Sequence, residues 1–152
     1  MLSWRGVYET ARQTAGVAQV TSARRVDQGG YRPGACNIGP AEIARRRRIG
    51  LLQLGAALGL AAVLVAIDAP AWARLGVWPL LAGAFITLEQ VRRRFCVAFG
   101  LAGVRNFGPL GHPERVEDDG ARAADRRAAI VLATYCSAAA AVVTAAFVVL
   151  GR

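Results

Sequence analysis

Two long uncharged apolar runs constrain this chain more than any other feature. Residues 49–67 read IGLLQLGAALGLAAVLVAI and residues 128–150 read AAIVLATYCSAAAAVVTAAFVVL, and neither run contains a charged side chain. At 1.5 Å per residue, even the shorter run makes a helix about 28 Å long, which matches the hydrocarbon core of a bilayer. The sequence therefore predicts an integral membrane protein.

A third, weaker apolar segment lies between these two runs. Residues 72–90 read WARLGVWPLLAGAFITLEQ, in which Arg74 and Glu89 bracket the uncharged part and Pro79 interrupts it. The sequence thus predicts an all-α fold with three transmembrane helices at about 49–67, 72–90 and 128–150, in one membrane domain spanning 1–152. Whether the second helix crosses the bilayer completely is left open by its length.

The positions of the arginines predict an orientation. All 19 basic residues are arginine, the formal net charge is +9, and clusters precede the first span, follow the second and precede the third. The loop between the first two spans contains only Asp68 and Arg74 as charged residues. The positive-inside rule then places residues 1–39 and the loop 91–127 in the cytoplasm and the C-terminus outside. We expect a multi-pass protein of a bacterial cytoplasmic membrane.

The same clusters predict binding to anionic lipid headgroups rather than to nucleic acid, because they flank apolar runs instead of covering a soluble face. Four consecutive arginines lie about 100° apart on a helix and so form a collar around it. The residues expected to contact headgroups are Arg45, Arg46, Arg47, Arg48, Arg92, Arg93, Arg94, Arg126 and Arg127.

The sequence around residue 40 predicts the start of the first helix. Pro40 suits the first helical position, and Glu42 in the first turn can pair with Arg45 or Arg46. Upstream, Trp4, Val7, Tyr8 and Ala11 recur at helical spacing, and there is no apolar signal-peptide core. They predict an amphipathic helix, which either lies in the membrane interface or is a soluble or partner-docked helix.

The loop after the second span contains two further features. Phe95, Phe99 and Ala102 recur at i, i+4 and i+7, which predicts a short helix near 95–104. It is either an interfacial return helix or a continuation of the second span. Residues 105–127 are polar and contain glycine and proline, so we expect a loop with a short helix near 120–127.

Small residues indicate how the spans pack, because helices in lipid associate through close contacts. Such spacing arises either from alanine-rich composition alone or from a compact three-helix bundle that leaves one ridge for a partner membrane protein or a second copy. The predicted packing residues are Gly55 and Gly59 in the first span and Ala129, Ala133, Ser137, Ala141 and Ala145 in the third.

One sequence echo suggests a functional cluster. Residues 37–40 and 106–109 both read N-x-G-P, which represents either two similar turns or a paired platform that brings Cys36 and Cys96 close together. Arginines near these thiols would lower their pKa. We recognise no metal-binding spacing and expect no cofactor. The candidate cluster comprises Cys36, Asn37, Glu42, Glu89, Cys96 and Asn106.

These features favour a non-catalytic accessory or scaffolding subunit of a larger membrane complex. The first alternative is a membrane-bound enzyme or redox protein that uses Cys36, Glu42 and Cys96. The second is an oligomeric pore or small-solute transporter, which the uncharged middle of the spans disfavours.

Overall fold

The structure, a computed structural model, describes residues 30–150. Residues 32–150 belong to one compact unit, Arg32–Arg152. The predicted amphipathic helix near the N-terminus lies outside the described residues. The helices are α1 Pro40–Ala66, α2 Ala71–Arg74, α3 Val77–Arg93, α4 Val97–Ala102 and α5 Asp119–Leu150, and the strands are β1 Val104–Arg105 and β2 Glu114–Arg115.

Three helical stretches have the length and apolar character needed to cross a membrane. They are Pro40–Ala66, Ala71–Arg93 (α2 and α3 together) and Asp119–Leu150. Their mean hydropathy values over the most apolar stretch are 2.2, 1.4 and 2.0, so the middle one is the weakest, as its sequence indicates. The prediction of a multi-pass, largely helical membrane protein is confirmed at this level.

The break in the second span lies upstream of Pro79. Leu75 and Gly76 separate α2 from α3, and turn hydrogen bonds run from Gly76 N to Ala73 O (3.1 Å) and from Trp78 N to Leu75 O (3.1 Å). Pro79 is the third residue of α3. A proline fits there, because first-turn N–H groups have no intrahelical acceptor, but it cannot continue a helix from α2, because it has no N–H to donate to Leu75 O. The predicted interruption of the second span is therefore present, at Leu75 and Gly76, just before Pro79.

The predicted loop 91–127 is more ordered than the sequence suggested. Strands β1 and β2 pair in antiparallel fashion, with Val104 opposite Arg115 and Arg105 opposite Glu114. Helix α5 begins at Asp119, with Asp118 Oδ1 accepting the Ala121 N–H at 2.6 Å. The short helix expected near 120–127 is thus the start of α5, and a two-stranded hairpin replaces part of the loop.

The short helix α4 is separate from the second span. Arg94 has a left-handed conformation with φ 55, which ends α3, and the Cys96 side chain then caps α4. Helix α4 packs so tightly on α5 that a Cβ on Gly100 would lie 2.9 Å from the Asp125 carbonyl oxygen. Of the two alternatives for residues 95–104, a short separate helix is present and a continuation of the second span is not.

Two apolar clusters hold the helices together. The first joins α1, α3 and α5 through Ala57, Leu81 and Ala140, and the second joins residues after α3 to α5 through Phe95 and Leu132. Phe85 packs against both. Alanines at the buried centres of these clusters, such as Ala57 and Ala140, let the helices approach closely, which is how helices associate where lipid removes the hydrophobic driving force.

Within residues 30–150, the predicted small-residue ladders coincide only in part with the helix interfaces. A Cβ added to Gly55 or Gly59 would meet no described atom outside the α1 backbone within 4 Å, and both glycines are exposed. In α5, Ala129 is buried but Ala141 and Ala145 are exposed. The predicted ladder and the buried residues share Ala129 and then diverge, because the buried residues take a step of three to Leu132 before continuing in steps of four. The buried stripe runs through Ala129, Leu132, Cys136, Ala140 and Thr144.

Ser137 and Ala133 nevertheless border an α3 side chain. Together with Trp78, they line a shallow groove. Trp78 Nε1 donates to the Ser137 carbonyl oxygen at 3.2 Å. Small side chains on α5 thus let an indole reach the helix backbone.

Charged residues at the end of α1 and in α2 link the helices there. Arg74 is buried, its Nη2 lies 3.5 Å from Asp68 Oδ1, and its guanidinium lies 6.0 Å from the Phe147 ring centroid. Arg74 therefore connects the turn after α1 to the end of α5, a role that its position in a near-neutral loop did not suggest.

Candidate functional site at the arginine-rich end

The start of α1, the end of α3, the start of α5 and helix α4 meet at what we call the arginine-rich end. There the two N-x-G-P segments lie side by side. Asn106 N donates to Asn37 O at 3.0 Å and Gly39 N donates to Asn106 O at 2.8 Å, forming a parallel bridge between Ile38 and Asn106. A Cβ on Gly39 would lie 2.9 Å from Phe107 Cα, so the approach requires glycine.

Asn37 joins this bridge to the turn after α3. Its Oδ1 accepts the Cys96 N–H at 2.6 Å and its Nδ2 donates to Cys96 O at 3.1 Å. The Asn37 and Ile38 amides both donate to Arg94 O, at 3.1 and 3.3 Å. Asn37 is fully buried. The side-chain amide of Asn37 therefore makes the pair of hydrogen bonds with the Cys96 backbone that a neighbouring β-strand would make.

Asn106 organises the second motif and contacts the first helix. Its Oδ1 accepts the Gly108 N–H at 3.0 Å, and its Nδ2 donates to Pro109 O at 3.1 Å and to Glu42 Oε1 at 3.4 Å. Asn106 itself is buried, and so is Glu42, whereas Gly108 and Pro109 are exposed. Both asparagines of the sequence echo thus serve in one hydrogen-bonded network.

Glu42 and Arg46 form a largely buried ion pair beside Asn106. Arg46 Nη2 lies 3.3 Å from Glu42 Oε2, and Arg46 Nη1 donates to Gln90 Oε1 at 3.2 Å. The guanidinium also lies over the Phe99 ring, 5.5 Å from its centroid. Gln90 Oε1 additionally accepts the Val97 N–H at 3.1 Å. Arg46 therefore links α1, α3 and α4.

This geometry corrects two parts of the predicted site. Arg46 faces the protein interior, so the four arginines do not form a uniform collar: Arg45, Arg47 and Arg48 are exposed and Arg46 is not. Glu89 is not in the cluster, because it pairs with Arg92 and Arg93 on its own helix. Gln90, the next residue and about 100° further around α3, contacts Arg46 in place of Glu89.

The predicted headgroup contacts therefore separate into two groups. Arg46 is engaged in the cluster, and the remaining positions are exposed at the arginine-rich end. The exposed ones are Arg45, Arg47, Arg48, Arg92, Arg93, Arg94, Arg126 and Arg127.

The three thiols are free and differ in accessibility. Cys96 is fully buried, and its Sγ accepts the Phe99 N–H at 3.3 Å. Burial raises the pKa of the Cys96 thiol and outweighs the Phe99 N–H and the Arg46 charge, which lower it. The expectation of a lowered pKa at Cys96 is therefore wrong, although Arg46 acts in the expected direction. Cys36 is half-buried in a turn closed by a hydrogen bond from its amide to Arg32 O (2.9 Å).

Cys136, by contrast, belongs to a helix interface. It packs in the cluster with Phe95, Ala129 and Leu132. This placement fits a cysteine that serves as a small apolar side chain.

Asp125 is a buried acid that the sequence interpretation assigned to a polar loop. It is fully buried in α5, and its Oδ1 accepts the Gly34 N–H at 2.6 Å. It ties the turn around Cys36 to α5. A signal was available, because Asp125, Ala129, Leu132 and Cys136 follow the i, i+4, i+7, i+11 period of one helical face.

Within residues 30–150, the acids, cysteines and histidine provide no group of three or more that could hold a metal ion. His112 lies exposed in the connection between β1 and β2. The side-chain polar atoms of Asn37, Glu42 and Asn106 are engaged with one another, with Arg46 or with backbone groups. The arrangement can therefore fix the relative positions of α1, α3 and α4, and it presents an arginine-covered surface around that point.

Comparisons of this chain with protein-family models, with curated proteins and with solved structures found no match.

Proposed function

We propose that this protein is a non-catalytic accessory or scaffolding subunit of a membrane complex, anchored with its arginine-rich end in an anionic leaflet. The observation that carries the proposal is that the buried polar side chains and the exposed arginines at that end have different roles. The buried polar side chains, such as Asn37 and Glu42, are occupied in holding the helices together. The surrounding arginines remain exposed and can contact phosphates.

The orientation follows from the same arginines. The arginine-rich end faces the cytoplasm of a bacterial cell and the C-terminal end of α5 faces outside, in agreement with the positive-inside rule. A reporter enzyme that is active only outside the cytoplasm, fused after residue 152, is expected to be active. Activity only for a fusion placed within residues 106–113 would contradict this orientation.

Two observations disfavour the enzyme alternative. Cys96 is buried with a raised pKa, and Glu42 is held by Arg46 and Asn106. A nucleophile or general base needs access to substrate and a pKa suited to its task.

The exposed glycine face of α1 supports contact with a partner. Among residues 30–150, no atom outside the α1 backbone would lie within 4 Å of a Cβ added at Gly55 or Gly59, and small residues on a lipid-facing surface allow another helix to approach closely. The partner is a membrane helix of another protein or of a second copy.

Native mass spectrometry of the full chain, extracted from its host membrane with surrounding lipid, tests the proposal. We expect a defined stoichiometric complex that Gly59→Leu disrupts. The control, Val65→Leu, changes an exposed position on another face of α1 and should leave the complex intact. A monomer in all three samples would contradict the accessory role.

A further inference from the structure

A groove with a volume of about 400 Å³ lies between the end of α3 and helix α5. Arg92 and Arg93 line one side, and Ala128, Val131 and Leu132 line the other. The backbone of residues 34–35, held on α5 by the hydrogen bond from Gly34 to Asp125, also contributes. The groove therefore combines a cationic mouth with an apolar wall.

The two arginines are positioned before any ligand arrives. Glu89 accepts hydrogen bonds from Arg92 Nε (2.7 Å) and Arg93 Nε (2.6 Å), and Glu89 does not line this groove. Among the described residues, Arg93 contacts Glu89 through Nε, which leaves the donors on both terminal nitrogens for another acceptor. A guanidinium held in place loses little further freedom when it binds a phosphate.

The arginines and the apolar side chains of the groove follow one another along the helix axes in the order that an amphipathic ligand requires. Arg93 is the last residue of α3, whereas Val131 and Leu132 lie in the uncharged part of α5. Val131 is 66% exposed, so its apolar surface is available beside the groove. A soluble phosphate would use the arginines alone, whereas a phospholipid would use the arginines and the apolar wall together.

We propose that this groove binds one anionic phospholipid, with its phosphate at Arg92 and Arg93 and an acyl chain along Val131 and Leu132. The site rests on the proposed function only in that the arginine-rich end lies at headgroup level. It adds a defined binding position to what would otherwise be a diffuse layer of arginines, and the negative headgroup complements the cationic mouth.

The test is lipid titration of the delipidated full chain, followed by native mass spectrometry, with phosphatidylglycerol compared with phosphatidylcholine. We expect one phosphatidylglycerol to be retained about tenfold more tightly than phosphatidylcholine, since charge-assisted contacts of this kind change affinity by at least that factor. Equal retention of both lipids would overturn the proposal, and so would displacement by excess glycerol phosphate, which has no acyl chain.

Matched variants locate the site. Arg92→Gln with Arg93→Gln should weaken phosphatidylglycerol binding about tenfold, whereas Arg47→Gln with Arg48→Gln removes the same charge from α1 and should change it less than about twofold. Adding Glu89→Gln to the first pair should not restore binding. Equal losses in both double variants, or restoration by Glu89→Gln, would overturn the proposal.

An uncharged pair of variants tests the apolar wall. Val131→Trp should obstruct the groove and weaken binding, whereas Val142→Trp, at an exposed position further along α5, should not. Equal behaviour of the two tryptophan variants would overturn the placement of the acyl chain. These outcomes are independent of partner binding: a monomer that still retains the lipid through Arg92 and Arg93 contradicts the accessory role and leaves the site standing.

Discussion

The arginine-rich end and the apolar middle of the helices are held together in different ways. At the arginine-rich end, buried polar side chains such as Asn37, Glu42 and Asn106 are joined by specific hydrogen bonds. In the apolar middle, alanine, leucine and phenylalanine side chains pack together, and the Thr87 hydroxyl donates to Gln53 Oε1 at 3.0 Å. Directional bonds therefore specify the arrangement of helices at one end, while packing and lipid maintain it elsewhere.

This difference between the two regions follows from the cost of an unpaired buried polar group and from the competition of apolar contacts with lipid. A buried polar group without a partner costs about 1–3 kcal/mol, so a partly formed network is unstable and a complete one selects a single arrangement. Apolar contacts between helices compete with equally apolar lipid tails, so they discriminate weakly between arrangements. Substitutions at the two regions should therefore differ in their effects on stability.

The largest expected effect comes from breaking the buried ion pair. Arg46→Met leaves Glu42 charged and buried, which should lower the free energy of unfolding by about 3 kcal/mol. Denaturant titration in micelles measures the change. Arg47→Met at the exposed neighbouring position is the control, expected within about 0.5 kcal/mol of the parent. Equal effects at the two positions would mean that Arg46 does not face inward.

Removing the Asn37 side chain should have the next largest effect. Asn37→Ala leaves the Cys96 N–H buried without an acceptor and creates a small cavity, so we expect a loss of about 2 kcal/mol. The same titration measures it, with His112→Ala in the exposed connection as control. A loss below about 0.5 kcal/mol would indicate that water replaces the amide and that the end is not tightly packed.

Cysteine labelling compares the interior of this end with its edge. Burial raises the pKa of Cys96, so its thiol stays protonated at a pH near the ordinary cysteine pKa of about 8.5. Because the thiolate is the reactive form, a maleimide should label Cys96 at least about tenfold more slowly than Cys36. Single-cysteine variants allow the two rates to be measured between pH 7 and 9. In the unfolded chain the thiol ionises at the lower, ordinary pKa, so this group lowers stability as pH increases above that value. Equal rates would contradict the burial of Cys96.

The smallest effect should come from the polar pair in the apolar middle. Gln53→Leu removes the hydrogen bond with Thr87 and should cost about 0.6 kcal/mol, the typical value for such bonds between membrane helices. Thr87→Val, measured by the same denaturant titration, should give a similar value, and the double variant should cost no more than either one. A loss as large as that of Arg46→Met would remove the contrast between the two regions.

The sequence predicted the elements whose determinants are local and missed those that depend on contacts. Uncharged runs and Pro40 sufficed to place the membrane-length helices and the start of α1. Repetition of N-x-G-P led to the pairing of Asn37 and Asn106. The choice between Glu89 and Gln90 depends on the rotation of α3 against α1, which a charge pattern does not encode.

The packing ladders show the same limitation. The i+4 spacing of Gly55 and Gly59 identifies a surface that permits close approach, but it does not say which helix approaches it. In α5 the actual contact stripe takes one step of three, from Ala129 to Leu132, among steps of four, so it includes Asp125 and Cys136 and excludes Ala141. Hydrophobic periodicity carried upstream of residue 128 would have found Asp125.

Amide hydrogen exchange in lipid nanodiscs tests the central claim most directly. Gly39, Cys96 and Asn106 lie outside the helices, yet their N–H groups donate to Asn106 O, Asn37 Oδ1 and Asn37 O respectively. If this network specifies the arrangement at the arginine-rich end, the three amides should exchange as slowly as those in the middle of α5, through global unfolding. Exchange at the rate of exposed loop amides would contradict the account.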